Sequence, residues 1–103
     1  MSDFVRVAAL PDLPPGQGLE ATVDGQPVAV FNVSGTIRAI GGRCAHQGGP
    51  LGQGALLGNI VLCPWHAWGY DLETGHCDVN RDARVPVYEV RIEDGQILVR
   101  APA

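Results

Sequence analysis

The sequence predicts an all-β fold, and three observations carry that prediction. Apolar and polar residues alternate with a period of two in several short runs, as in strands that bury one face. Turn dipeptides, Asp24-Gly25, Ser34-Gly35 and Asp94-Gly95, separate those runs. The chain also spends 14 Gly and 8 Pro on 103 residues, and no window of useful length shows a helical period. A hydrophobic content of 46% is enough for one packed core, so residues 1–103 are expected to form a single small domain.

In chain order, Val5 and Val7 flank Arg6 in a first strand. Pro11, Pro14, Pro15, Gly16 and Gly18 then make a loop. Leu19, Ala21 and Val23 alternate with Glu20 and Thr22, and Asp24-Gly25 turns the chain into a strand at Val28–Val33. Ser34-Gly35 returns it as Thr36–Ile40. A loop opens at Gly41-Gly42, and a short apolar strand is expected over Asn59–Leu62. Tyr70-Asp71-Leu72 and the segment from His76 read as a hairpin joined through Glu73-Thr74-Gly75. A charged connection, Asn80–Val85, leads to Tyr88, Val90 and Ile92, which alternate with Glu89, Arg91 and Glu93. Asp94-Gly95 then turns into Ile97–Val99. The total is nine or ten short strands, with an inserted lobe from about Gly42 to Asn80.

That lobe holds the residues that carry chemistry. Cys44-Ala45-His46 and Cys63-Pro64-Trp65-His66 each set a thiolate beside an imidazole, and 16 residues separate His46 from Cys63. Structural zinc sites usually pair two Cys in one knuckle and two His in the other. Here each loop offers one of each, which suits a two-iron cluster with both Cys on one iron and both His on the other. Zinc in the same pocket is the alternative. The third thiol, Cys77, reads as a small buried hydrophobe, and His76 as a surface turn residue.

The pattern C-x-H-x16-C-x-x-H is followed in its first half by Gly48-Gly49-Pro50-Leu51 and runs through Pro64-Trp65-His66-Ala67-Trp68-Gly69-Tyr70-Asp71 in its second. It resembles the Rieske [2Fe-2S] proteins from about Val28 to the C-terminus. The resemblance implies an antiparallel β-sandwich base carrying a small β lobe with the cluster at its tip. It implies Cys44, His46, Cys63 and His66 as the ligands of one [2Fe-2S] cluster, with the imidazoles bound through Nδ1 and their Nε2 edges at the surface as the exit for electrons. In the quinol-oxidising branch a further Cys follows each half and the two form a disulfide; Gly49 and Trp65 stand at those positions. Trp68 replaces that branch's Ser, a hydroxyl donor to a bridging sulfide, whereas Tyr70 keeps the phenol. Fewer donors leave the cluster less compensated, so the expected potential lies in the lower half of a range of about −150 to +300 mV. Trp65, Trp68, Gln47 and Pro50 beside the ligands are expected to shield the cluster more than to dock a partner. Related families often carry Gly-Pro after the cluster hairpin; here that region is Asn80-Arg81-Asp82-Ala83-Arg84, with Pro only at 86.

The combination looks like the ferredoxins that feed ring-hydroxylating dioxygenases, and also like the small Rieske subunits of nitrite reductases. The first likeness implies a one-electron carrier between an NAD(P)H-dependent flavoprotein reductase and a terminal oxygenase, with no catalytic residues of its own. The second implies a subunit docked permanently in a larger reductase. A zinc-stabilised binding module is the third reading. The length leaves no room for the second, catalytic domain of a Rieske oxygenase. A net charge of −4, with seven Arg and no Lys, does not suit nucleic acid or an anionic membrane. No apolar run reaches membrane-spanning length, and Met1-Ser2-Asp3-Phe4 opens no signal peptide. A cytoplasmic location is expected, since the cysteines form no disulfide framework, and the likeness to ferredoxins implies a monomer.

Overall fold

The computed structural model describes residues 3–45, 48–65, 67–80 and 82–102. Strand β1 (Val5–Ala9) leads through a 3-10 turn (Leu10–Asp12) to the β2 (Gly18–Val23), β3 (Gln26–Val33) and β4 (Thr36–Gly41) meander. A second 3-10 turn (Leu51–Gln53) precedes the short strands β5 (Ala55–Leu57), β6 (Ile60–Leu62) and β7 (Gly69–Asp71), and β8 (Val87–Glu93) and β9 (Gln96–Arg100) close the chain. All pairings are antiparallel. The large sheet runs β1-β9-β8-β4-β3-β2 and the small one β5-β6-β7.

The expected hairpins form where the dipeptides place them. Asp24, Ser34 and Asp94 have φ near 52°, and Gly25, Gly35 and Gly95 follow with φ of 79°, 99° and 72°. Two successive residues at positive φ match the right-handed twist of the strands they join. Three features depart from the sequence expectation. Strand β5 and both 3-10 turns were not expected. The segment from His76 does not extend into a second strand: its pairing is limited to the isolated bridges Tyr70↔Cys77 and His76↔Arg84 among the described residues.

Strand β4 meets β8 through just two residue pairs, Ala39↔Tyr88 and Ile40↔Val87, so the large sheet is two three-stranded halves joined at a seam. Val28, Val30, Ile37 and Ala39 from one half share a buried cluster with Tyr88, Ile97 and Val99 from the other. The halves therefore fold over one another as the base sandwich. The opposite face of β3 and β4 supplies Ala29, Phe31 and Ile40 to a second cluster, completed by Leu51, Val61, Tyr70 and Leu72. This explains the unbroken run Val28-Ala29-Val30-Phe31: β3 is buried on both faces, so nothing in it alternates. Asn32, the buried polar residue there, donates from Nδ2 to the Leu13 carbonyl (2.8 Å) and accepts the Gly35 N–H (2.7 Å), tying the first loop to β3.

The small sheet leaves the base after β4 and returns at β8. Its two connections run side by side, with the Gly41 N–H donating to the Pro86 carbonyl at 2.8 Å, and the first is tied to β3 by the Gly42 N–H, which donates to the Pro27 carbonyl at 2.9 Å.

Candidate metal centre

Two loops at the end of the small sheet share one hydrogen-bonding pattern. In the first, the Cys44 N–H donates to the Gly49 carbonyl (2.8 Å) and the Cys44 carbonyl accepts the Gly48 N–H (2.8 Å). In the second, the Cys63 N–H donates to the Trp68 carbonyl (2.8 Å) and the Cys63 carbonyl accepts the Ala67 N–H (2.9 Å). The fourth residue after each cysteine takes positive φ, 75° at Gly48 and 58° at Ala67. A non-glycine residue in that region is strained, so the second loop keeps its shape through its bonds rather than its intrinsic preference. The signal for Ala67 was absent from its residue type and lay only in the correspondence of the two loops.

Both loops turn their thiols inward. Cys44 and Cys63 are each 3% exposed. A Cβ on Gly49 would stand 2.6 Å from Cys63 Sγ and 3.2 Å from the Trp65 indole. Residue 49 thus lets the second sulfur and Trp65 approach the first loop, at the two positions where the quinol-oxidising branch has its extra cysteines. Trp65 lies over Gly49 but stays half-exposed. Trp68 packs against the buried hydrophobic core of the lobe. Cys77 is buried in the same cluster and its Sγ accepts the Val79 N–H at 3.4 Å, as a small core residue would; His76 is exposed in its turn. The remaining expected ligands, His46 and His66, lie outside the described residues, as do Gln47 of the expected patch and Arg81 of the charged loop.

The phenol of Tyr70 completes the described part. Its oxygen lies 3.1 Å from Cys44 Sγ and accepts the Ala45 N–H at 3.0 Å. With that acceptor position taken, the phenol hydrogen is free to point at sulfur. A metal-bound thiolate has no proton to offer, so Tyr70 is then the donor. Burial pushes the phenol well above its ordinary pKa, and the Cys44 thiol pushes it further, so it keeps the hydrogen it donates.

Do these residues fit an iron–sulfur cluster? Burial raises the Cys63 thiol, the Trp65 backbone N–H opposes this, and the neighbouring Cys44 thiol adds to the rise. Two buried thiols side by side do not both ionise in a bare protein. A bound metal reverses that balance and deprotonates them outright. Paired sulfurs, a glycine that makes room, and a phenol donor aimed at one sulfur suit thiolate ligation of iron.

Tyr70→Phe follows as a test. It removes one hydrogen bond to the thiolate while leaving a ring of nearly the same volume in place. A differential stabilisation of about 1 kcal/mol corresponds to a fall of roughly 40 mV for a one-electron couple. Film voltammetry reads the shift, and an unchanged potential would remove Tyr70 from the account.

The comparisons with known proteins agree with this geometry. The family profile described as Rieske [2Fe-2S] domain matches residues 3–89. The match therefore begins well before Val28, where the sequence resemblance was first evident, because β1 to β3 are part of the same base. The biphenyl dioxygenase ferredoxin subunit of Pseudomonas sp. (strain KKS102) is 33% identical over 98 residues, 93% of this chain and 90% of that protein. A solved complex of reduced oxygenase and oxidised ferredoxin in carbazole 1,9a-dioxygenase contains a chain of TM-score 0.87 and 27% identity, covering 94% of this chain and 92% of that one. A Mycobacterium tuberculosis structure assigned as an NADH-dependent nitrite reductase small subunit has TM-score 0.91 and 27% identity, covering 100% of this chain and 98% of that one.

Proposed function

The chain belongs to the Rieske [2Fe-2S] domain family, and from that premise we propose a one-electron carrier that takes electrons from an NAD(P)H-dependent flavoprotein reductase and passes them to a terminal oxygenase. The proposed ligands are Cys44 and Cys63 on one iron and His46 and His66 on the other, in a single domain whose cluster lobe spans about residues 42–80. A bound [2Fe-2S] cluster supplies a one-electron couple.

The observation that carries the reading is the pair of buried sulfurs, Cys44 and Cys63, at the ends of two matching loops, with the Tyr70 phenol on one of them. The chain's own residues hold the thiolates, exclude water with Leu51, Val61 and Trp68, and place the two ligand loops at one end of the lobe. Four protein ligands fill the protein-supplied positions of two irons, which leaves none open for a substrate. The protein is accordingly an electron-transfer component and not itself a catalyst. Among the described residues no helix is long and apolar enough to cross a membrane. The proposed carrier is a cytoplasmic monomer.

The likeness to the nitrite reductase small subunit supports a second reading, a component bound permanently within a larger reductase. One experiment separates the two. The reduced protein is mixed with an oxidised terminal Rieske oxygenase in a stopped-flow instrument, and its absorbance is followed. A carrier is expected to show a reversible one-electron wave in the lower half of the Rieske range and to be reoxidised by the oxygenase in a second-order reaction that slows with salt. A stable stoichiometric complex with a reductase, without such transfer, would favour the bound subunit.

A further inference from the structure

The strand pairing that runs from Tyr70↔Cys77 ends at the next residue in an unusual way. The Asp78 N–H donates to the Gly69 carbonyl at 2.8 Å, as a partner strand would. The Gly69 N–H, however, goes to Oδ1 of the Asp78 side chain at 2.9 Å. The carboxylate has taken the place of a backbone carbonyl, and the chain is free to turn away into the exposed Val79. The carboxylate also lies against the backbone of Gly69, where an added Cβ would stand 2.8 Å from the Asp78 carboxyl carbon. Gly69 directly follows Trp68, whose carbonyl receives the Cys63 N–H. Asp78 is thus one residue removed from the bond that closes the second sulfur-bearing loop. Among the described residues the ion pairs use Arg38, Arg91 and Arg100, and none involves Asp78.

We propose that Asp78 is a positioning residue of the centre, whose carboxylate fixes the second ligand loop and, as a fixed negative charge beside it, holds the potential of the cluster down. The inference rests on the reading that Cys63 carries the cluster. Its physics is simple: reduction adds negative charge to the centre, and a nearby anion disfavours the reduced form more than the oxidised one. The same group does two jobs that substitution can separate. Asparagine keeps the size and the acceptor oxygen but removes the charge. Glutamate keeps the charge and lengthens the arm.

The test is the reduction potential of the holoprotein, with iron content and visible spectrum recorded on the same samples. Asp78→Asn is expected to keep its iron and spectrum and to raise the potential. Asp78→Glu should stay closer to the wild type. Asp94→Asn, at the distant β8–β9 turn, should leave the potential unchanged. The shift between wild type and Asp78→Asn should shrink as salt is added, because the carboxylate is exposed. A merely structural role would alter iron retention without a salt-dependent shift. Asp78→Asn with full iron and an unmoved potential overturns the inference. If that variant fails to load iron, Asp78→Ser, which retains an acceptor for the Gly69 N–H, gives the same readout. A wild-type protein that binds no iron would instead defeat the reading of the centre itself.

Discussion

Cys63→Ala is expected to abolish the iron centre: the purified variant should be colourless, with iron falling from about two atoms per chain to none. The thiolate cannot be replaced from its surroundings. Cys44 already faces the same pocket, and Cys77 is committed to the Val79 N–H within the core. The informative comparison is Cys77→Ala, which removes another buried thiol from the same cluster of side chains. It should keep its colour and full iron, at a stability cost of roughly 1 kcal/mol for a small loss of buried volume. Iron analysis, the visible spectrum and the electron spin resonance of the reduced protein read both variants. A brown Cys63→Ala protein would remove this residue from the ligand set. A wild-type protein isolated with zinc and no colour would return the centre to a structural metal site.

The second large effect is on stability, at Gly75→Ala. Gly75 sits at φ 78°, donates to the Asp71 carbonyl at 2.8 Å and accepts the Val85 N–H at 2.9 Å. A Cβ there would run into the Val85 carbonyl oxygen and stand 3.2 Å from Val87 Cγ2. Two costs add. The left-handed backbone costs a non-glycine residue about 1–2 kcal/mol, and overpacking against a buried backbone costs about 1–3 kcal/mol. The sum, about 2–5 kcal/mol, should lower the melting temperature by roughly 10 °C or more in a domain of this size. Gly58→Ala is the matched control: its φ is 59°, but nothing lies near an added Cβ, so only the backbone cost remains. Thermal unfolding followed by circular dichroism on the iron-loaded proteins compares them. Equal losses at the two sites would mean that the chain at Val85 yields more easily than its hydrogen bond implies.

The parts of this fold that the sequence made legible are those set by local chemistry. Asp24-Gly25, Ser34-Gly35 and Asp94-Gly95 each encode a tight turn in two residues, and the strands on either side follow with little error. The two-part cysteine and histidine motif is equally local, and it singles out Cys44 and Cys63, which the structure buries at the ends of two matching loops. The phenol of Tyr70 was legible from its place four residues after His66, and the structure sets it against Cys44 Sγ. The features that escaped depend on partners distant in sequence. Ala55-Leu56-Leu57 has no period of its own and becomes β5 only by pairing with β6. The second arm of the expected hairpin stops at Cys77 because a side chain, Asp78, replaces the strand's next carbonyl. Nothing in the residue type of Asp78 separates it from the chain's other exposed acids. Gly49 stood out as the residue in place of a cysteine, and its closeness to Cys63 Sγ is a fact of the third dimension.

The bond between the Gly41 N–H and the Pro86 carbonyl also makes the metal-bearing part of the chain portable. A segment whose two ends lie side by side can be lifted out and replaced by a short turn without pulling its host apart. Residues 42–85 form such a cassette. Spliced between two adjacent antiparallel strands of an unrelated β scaffold, it would need a host face that packs against it as Ala29, Phe31 and Ile40 do here. Closing β4 directly onto β8 would bare Ala29, Phe31 and Ile40, which Leu51, Val61, Tyr70 and Leu72 now cover, so the six strands left would need polar residues on that face to stay soluble.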